Sequence, residues 1–354
     1  MKLTVNRILL LVLGVAYLAI IILRRSIYSP GLVDWDTIAI LSALIVVNTG
    51  LMYSGGLNYL AFRIMKVTKG QRRLMIVAIL LTTFMAMFLT NDVSLLVLIP
   101  ITLAIGKFAK KSLDDVIIFQ AIAANVGSML MPFGNPQNII MYRLYSLNFL
   151  EFVKTMAPIF AVSLAILVIF SLIFKDEKLS TEESGPRPNF RLFFFYLSLL
   201  VATIVGMLLN LTIYIFLGII AITLLSFVFS EPLTVARVDY VLIIVFILIF
   251  LVMNSVRSLI TLPLGSNGVQ TFFTSLILSQ FISNVPTTVL YGKISSFAVL
   301  SYGVNIGGNG TVVASLANII AIRNLSGKNF ARFNKYSFLF LLFTAAAGYL
   351  ILFR

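Results

Sequence analysis

Carboxylate and carboxamide side chains set inside apolar runs are the residues of this chain whose placement points to chemistry. Asp92 is the one acid of twelve that falls deep in an apolar segment. A carboxylate at membrane depth costs about 2.5–3.5 kcal/mol on insertion scales, so it lines a wet cavity or holds a proton or cation. It stands in Thr90-Asn91-Asp92-Val93-Ser94, where it could equally cap the helix that follows. Ser283-Asn284-Val285-Pro286-Thr287-Thr288 breaks a second apolar segment with hydroxyls and an amide, for which local capping is the plainer alternative. Gly134-Asn135-Pro136-Gln137-Asn138 and Gly307-Gly308-Asn309-Gly310-Thr311, read as equivalent positions within two helices, release backbone groups. Freed carbonyls suit Na⁺, and half-helix N-termini suit anions. With Asn125, Asn305 and Asn318, these make the candidate substrate and ion contacts: Thr90, Asn91, Asp92, Ser94, Gly134, Asn135, Pro136, Asn138, Ser283, Asn284, Thr287, Thr288, Gly308, Asn309 and Thr311. Na⁺ is expected at Asn91, Asp92, Asn135, Asn284 and Asn309.

What must position these residues is a bundle of membrane helices. Of the 354 residues 60% are hydrophobic and 11% charged, against about 45–50% and about 25% in soluble domains. A soluble fold is excluded, and so are disorder and coiled coil. Absence of Cys and His removes disulfides, thiolate or imidazole metal sites and Cys or His nucleophiles. No paired carboxylates or nucleophile–base constellation suggest an enzyme. Apolar segments fall at about 5–23, 34–57, 74–106, 116–140, 152–174, 192–208, 212–229, 240–260, 269–300, 301–322 and 336–353. The segment 74–106 is too long for one helix and short for two, and 269–300 is similar. Each is expected to be a re-entrant hairpin, because backbone at membrane depth leaves the helix only where protein or a wet cavity satisfies it. The expected fold is all-α and polytopic, with about nine transmembrane helices and two hairpins.

The net charge of +14 would suggest nucleic acid in a soluble protein, but position explains it here. With the N-terminus cytoplasmic, 19 of 26 Lys and Arg fall in cytoplasmic loops. The segment beginning at Lys2 ends in Arg24-Arg25 with no cleavage site, so it reads as a first span rather than a signal peptide. Residues 175–191, with Gly185-Pro186-Arg187-Pro188, read as a solvated cytoplasmic linker. Arg257, near an outer helix end, is read as snorkelling to the interface in preference to attracting an anion, and is left out of the candidate site.

An internal repeat is visible. Asn125-Val126-Gly127 with Asn138-Ile139-Ile140 matches Asn305-Ile306-Gly307 with Asn318-Ile319-Ile320 at an offset of 180 residues. Val33-Asp34-Trp35 and Val238-Asp239-Tyr240 open earlier helices in the same order. The implied organisation is a first inverted repeat at 1–174 (hairpin 74–106), a linker and bridging helix at 175–211, and a second repeat at 212–354 (hairpin 269–300). Inverted repeats with broken helices point to a secondary transporter with a midplane site. A channel or non-transporting membrane receptor is the contrasting class.

These motifs together resemble the ion-transporter superfamily, which includes divalent anion:sodium symporters, arsenite permeases and some sodium/proton antiporters. In the sodium-coupled carboxylate branch each hairpin tip carries Ser-Asn-Thr. Here the tips read Thr90-Asn91-Asp92 and Ser283-Asn284-Val285, so the third position departs in both. Asn-Asp at the first tip resembles the arsenite permeases, whereas Gly134-Asn135-Pro136-Gln137-Asn138 resembles the Gly-Thr-Pro-Pro-Asn loops of carboxylate permeases. The resemblance implies a plasma-membrane homodimer that moves a small anion, coupled to Na⁺ or H⁺, by an elevator-like alternation. Arsenite or antimonite efflux is the second reading it implies, and Na⁺/H⁺ exchange the third.

Overall fold

A computed structural model of the chain describes residues 2–24, 30–179, 187–230, 232–259, 267–326 and 329–354. Arg25 and Gly185-Pro186 lie outside the described residues. Among these the fold is helical: α1 (Lys2–Arg24), α2 (Trp35–Tyr53), α3 (Gly56–Met65), α4 (Gln71–Phe88), α5 (Asn91–Ala109), α6 (Asp114–Ser128), α7 (Pro136–Leu144), α8 (Phe149–Ser171), α9 (Phe190–Leu208), α10 (Ile213–Ser230), α11 (Tyr240–Leu259), α12 (Gly268–Ile282), α13 (Asn284–Tyr291), α14 (Phe297–Ile306), α15 (Leu316–Asn324) and α16 (Phe330–Phe353).

Among the described residues eight helical segments are long and apolar enough to cross a membrane. Both α4 and α5 are among them, so the first broken segment is longer than its apolar run suggests. Gln71-Arg72-Arg73 and Lys107-Phe108-Ala109 extend the two arms beyond 74–106. In the second, α12 has 15 residues but α13 only 8, and residues 297–300 already belong to α14. The expected single spans at 116–140 and 301–322 are each two short helices, α6 with α7 and α14 with α15. The polarity is inverted relative to a soluble protein. Phe229, Ile173 and Leu342 are exposed, while Asn125, Asn138, Asn305 and Asn318 are buried. That is the arrangement expected where the solvent around the helices is hydrocarbon.

Packing sorts most helices into two groups. In one, α2 lies against α9, α10 and α11, and α11 against α1. In the other, α6 contacts α4, α5, α8 and α15, while α14 contacts α12, α13 and α16. Contacts of α13 with α11, and of α7 and α5 with α2, join the groups. Glycine permits the closest approaches. A Cβ at Gly127 would stand 2.2 Å from the Thr83 carbonyl oxygen of α4, and one at Gly307 would stand 3.0 Å from that of Leu276 in α12. Each broken helix is thereby held tightly to the first arm of its neighbouring hairpin.

Candidate functional site

The local sequence explains why the helices break where they do. Thr90 is extended, and α5 starts at Asn91, whose side-chain oxygen accepts a hydrogen bond from the Asp92 N–H at 3.0 Å. Asp92 thus stands in the first turn and not at the cap, where it was expected as an alternative; its carboxylate still meets the positive end of the helix. Asn135 caps α7, accepting from the Asn138 N–H at 2.9 Å, with Pro136 fitting the first helical position, where its missing N–H loses nothing. Ser315 caps α15 through the Ala317 N–H at 3.2 Å. The expected equivalence of Gly134–Asn138 with Gly307–Thr311 does not hold. Gly307 closes the C-terminus of α14, whereas Asn135 opens α7, so its counterpart at the 180-residue offset is Ser315.

Four asparagines cross-link the two broken helices reciprocally. The Asn125 amide donates to the Asn318 side-chain oxygen at 3.0 Å, and the Asn305 amide donates to that of Asn138 at 2.9 Å. Asn138 also donates to the carbonyls of Ser128 and Met131, both at 3.0 Å, and Asn318 to those of Gly308 and Thr311, both at 2.9 Å. Asn135 donates to Asn305 at 3.1 Å, while Ser315 donates to Asn125 at 2.9 Å. Every one of these bonds has its counterpart 180 residues along the chain. Buried amides satisfied in this way fix a unique geometry, and loss of one orphans its partners.

The hairpin tips dock onto this network. The Asn91 N–H donates to the Gly134 carbonyl at 3.2 Å and its side-chain amide to Asn125 at 3.3 Å. Ser283 Oγ donates to the Ala314 carbonyl at 3.2 Å. Ser283 itself adopts φ 75°, ψ 158°, a backbone region that is essentially glycine's.

Between the tips and the group of α1, α2 and α11 lies a cavity of about 680 Å³. Thr90, Asn91, Asp92, Pro136, Ser283 and Asn284 line it, together with Gln137 and Ser315. Its remaining wall is largely apolar, apart from Asn6, Asn48, Thr49, Tyr53, Arg237 and Asp239. The other expected residues stand elsewhere. Asn125, Asn138, Asn305, Gly308, Asn309 and Asn318 form the network behind the tips. The hydroxyls of Ser94, Thr287 and Thr288 bond to carbonyls of their own first turns, and Thr311 bonds to Gln280. Arg257 is not at the cavity; its guanidinium lies against Gly292, the C-terminal cap of α13. Among the described residues no group of three or more acids could hold a divalent metal.

Residues 3–296 match the citrate transporter family, CitMHS. The chain belongs to the citrate transporter family. Its relatives include an uncharacterized transporter of Methanocaldococcus jannaschii, 35% identical over 88% of each chain. Inner membrane protein YbiR of Escherichia coli is 31% identical over 91% of this chain and 89% of its own length. A putative transporter, arsB, of Dictyostelium discoideum is 27% identical over 42% of this chain and 27% of its own. As a member of the citrate transporter family this is a multi-pass membrane transporter.

Ser315, Asn48 and Asn6 at the cavity were not expected there, and Gln137 was expected only as a member of the Gly134–Asn138 motif. Ser315 had a signal, since the repeat offset carries Asn135 onto it. Asn48 had another, as a carboxamide inside an apolar run.

Proposed function

We propose that this protein is a secondary active transporter that carries a small oxygen-rich anion, a carboxylate or inorganic oxyanion, through the cavity beneath the two hairpin tips. The observation that carries this reading is the convergence of both tips, the starts of α5, α7 and α13, and one buried carboxylate on a single cavity between two helical groups. The positive ends of the α5 and α7 dipoles face the cavity and favour an anion there, although the Asn91, Asp92 and Asn138 N–H groups are themselves bonded within the protein. Asp92, 9% exposed, opposes an anion unless a Na⁺ or proton accompanies it, which makes substrate binding and cation binding mutually favourable. Asn91, Asp92 and Asn284 remain at the cavity as contacts for that cation, whereas Asn135 and Asn309 sit in the amide network behind it.

The reciprocal asparagine bonds support the inverted-repeat organisation, and tips that bond to the mid-helix breaks support re-entrance of both hairpins. Two helical groups meeting across the cavity suit an elevator-like motion of one past the other, in a homodimer. The cavity wall at Tyr53 and Arg237 belongs to the side that the Lys and Arg distribution places in the cytoplasm.

Uptake of labelled citrate into proteoliposomes under an imposed Na⁺ or pH gradient tests the reading. Asp92→Asn should abolish gradient-driven accumulation while the purified protein remains folded. Undiminished accumulation in that variant removes Asp92 from coupling. Arsenite efflux is the second reading, favoured by the acid at the first tip and by the similarity to the arsB transporter. Neutral arsenous acid meets no repulsion from Asp92, and arsenite extrusion without citrate accumulation would decide for it.

A further inference from the structure

The wall of the cavity opposite the hairpin tips carries a polar group that the protein leaves without a hydrogen bond. Along α2 the residues that line the cavity are Leu41, Leu44, Ile45, Asn48, Thr49, Met52 and Tyr53, one helical stripe at spacings of three and four. The Thr49 hydroxyl is committed to the Ile45 carbonyl at 2.7 Å. Asn48 is fully buried, and neither its side-chain nitrogen nor its oxygen has a partner. Its direction follows from helix geometry. Gly50 faces α9 and α10, since a Cβ there would meet Tyr196 at 2.7 Å and Phe227 at 2.9 Å. Two residues turn a helix by about 200°, so Asn48 points the opposite way, into the cavity. On α1, Asn6 donates to Asp239 at 2.6 Å, which leaves its own side-chain oxygen buried and unpartnered at the same cavity.

A buried amide left unmade costs about 1–3 kcal/mol, and an apolar residue of similar shape would avoid it. The α11 wall does avoid it: Leu242, Val245, Phe246, Ile249, Val252 and Met253 are all apolar. We propose that Asn48, with Asn6 beside the same cavity, is a substrate contact on the wall opposite the tips, and that it selects an acid carrying a hydroxyl group. The chemistry of the free atoms sets the class. The amide nitrogen gives a hydrogen bond to a carboxylate or other acid oxygen. The two free amide oxygens accept only, so they require a donor. A fully ionised, unsubstituted carboxylate has none, whereas a hydroxycarboxylate or a protonated inorganic oxyacid supplies one. This assignment rests on the cavity being the substrate site of the transporter proposed above.

The test is thermal stability of the purified full-length protein in detergent and Na⁺ buffer at fixed pH, titrated with citrate, with tricarballylate, which is citrate without its hydroxyl, and with arsenite. Wild type should bind citrate or arsenite, with tricarballylate about tenfold weaker than citrate if the acid is organic. In Asn48→Leu the preferred ligand should weaken about tenfold and the citrate preference over tricarballylate should vanish. The ligand-free melting temperature should hold or rise, because an orphaned amide has been removed. Isosteric Asn48→Asp, which sets a carboxylate before the anion, should lose citrate binding more completely. Full citrate affinity with intact hydroxyl preference in Asn48→Leu overturns the assignment, as does a marked fall in its ligand-free melting temperature. A wild type that none of the three ligands stabilises sinks the substrate reading instead, and with it this contact.

Discussion

Ser283 concentrates the strain of the site in one residue. Its φ of 75° and ψ of 158° place a residue with a Cβ in a region that costs about 1–3 kcal/mol for anything but glycine. The single Oγ–H repays part of this, shared between the Ala314 carbonyl at 3.2 Å and the Asn284 side-chain oxygen at 3.3 Å. Both Ser283→Ala and Ser283→Gly lose those bonds, but only glycine also relaxes the backbone. At an ordinary position alanine is the more stable by about 0.4–1 kcal/mol. Here the order should invert, with Ser283→Gly melting above Ser283→Ala in ligand-free detergent solution; alanine on top would show the tip to be unstrained. At this scale the matched spacing of the four asparagines was legible, but their part was not: they were expected as substrate and ion contacts, and they bond to one another behind the tips. The conformation of Ser283 was not, since nothing in Ser-Asn-Val-Pro specifies a positive φ. Nor was the unbonded state of Asn48, because an amide in an apolar run reads the same whether satisfied or orphaned.

Among the elements, α4 shows how a helix borrows its cap. Gly70 stands at its N-cap with no side chain to offer. Asp176, from the segment after α8, accepts from the Arg72 N–H at 3.2 Å and pairs with the Arg73 side chain at 3.3 Å. A Cβ on Gly70 would stand 2.0 Å from the Asp176 carboxylate oxygen, so the glycine makes room for the cap. The neighbouring residues fasten the same segment: the Gln71 N–H donates to the Glu177 carbonyl at 2.8 Å, and Lys111 pairs with the Glu177 side chain at 2.7 Å. Lys111 holds that carboxyl below the usual range through a hydrogen bond and its charge. Its contribution is therefore present above the ordinary carboxylate pKa and fades as the pH falls through the lowered value. Asp176→Ala should cost about 1 kcal/mol in unfolding at neutral pH, and Gly70→Ala should loosen the same contact. A melting curve for Asp176→Ala identical to wild type would show that α4 has no need of the cap. The chain breaks near Asn91 and Asn284 as its polar residues there suggest, whereas 116–140 and 301–322 were expected as single spans and are each two helices. The full reach of α4 and α5 was not legible, because charged residues at helix ends terminate an apolar run before they terminate the helix.

For the molecule as a whole, the cavity lies on the boundary between the two helical groups, and ion pairs also cross that boundary. Arg143 of α7 meets Asp36 at 2.8 Å and Asp34 at 3.6 Å, at the start of α2. That end of α2 is opposite the end bearing Met52 and Tyr53, which line the cavity. In the orientation proposed from the loop charges, with 19 of 26 Lys and Arg on one side, the Met52 end faces the cytoplasm. The protein should therefore be open inward in this conformation, with Arg143 and its two aspartates closing the outer side. A chain without cysteine allows a direct check, since a single introduced thiol reports without background. Met52→Cys, at a half-buried cavity position, should react with a membrane-impermeant maleimide presented from the cytoplasmic face of sealed vesicles. From the outer face it should react slowly or not at all, and saturating substrate should slow the cytoplasmic reaction. Arg143→Gln should raise outer-face labelling if the ion pairs hold the outward path shut. Labelling of Met52→Cys from the outer face alone would reverse the orientation read from the charges, and with it the side from which this conformation takes its substrate.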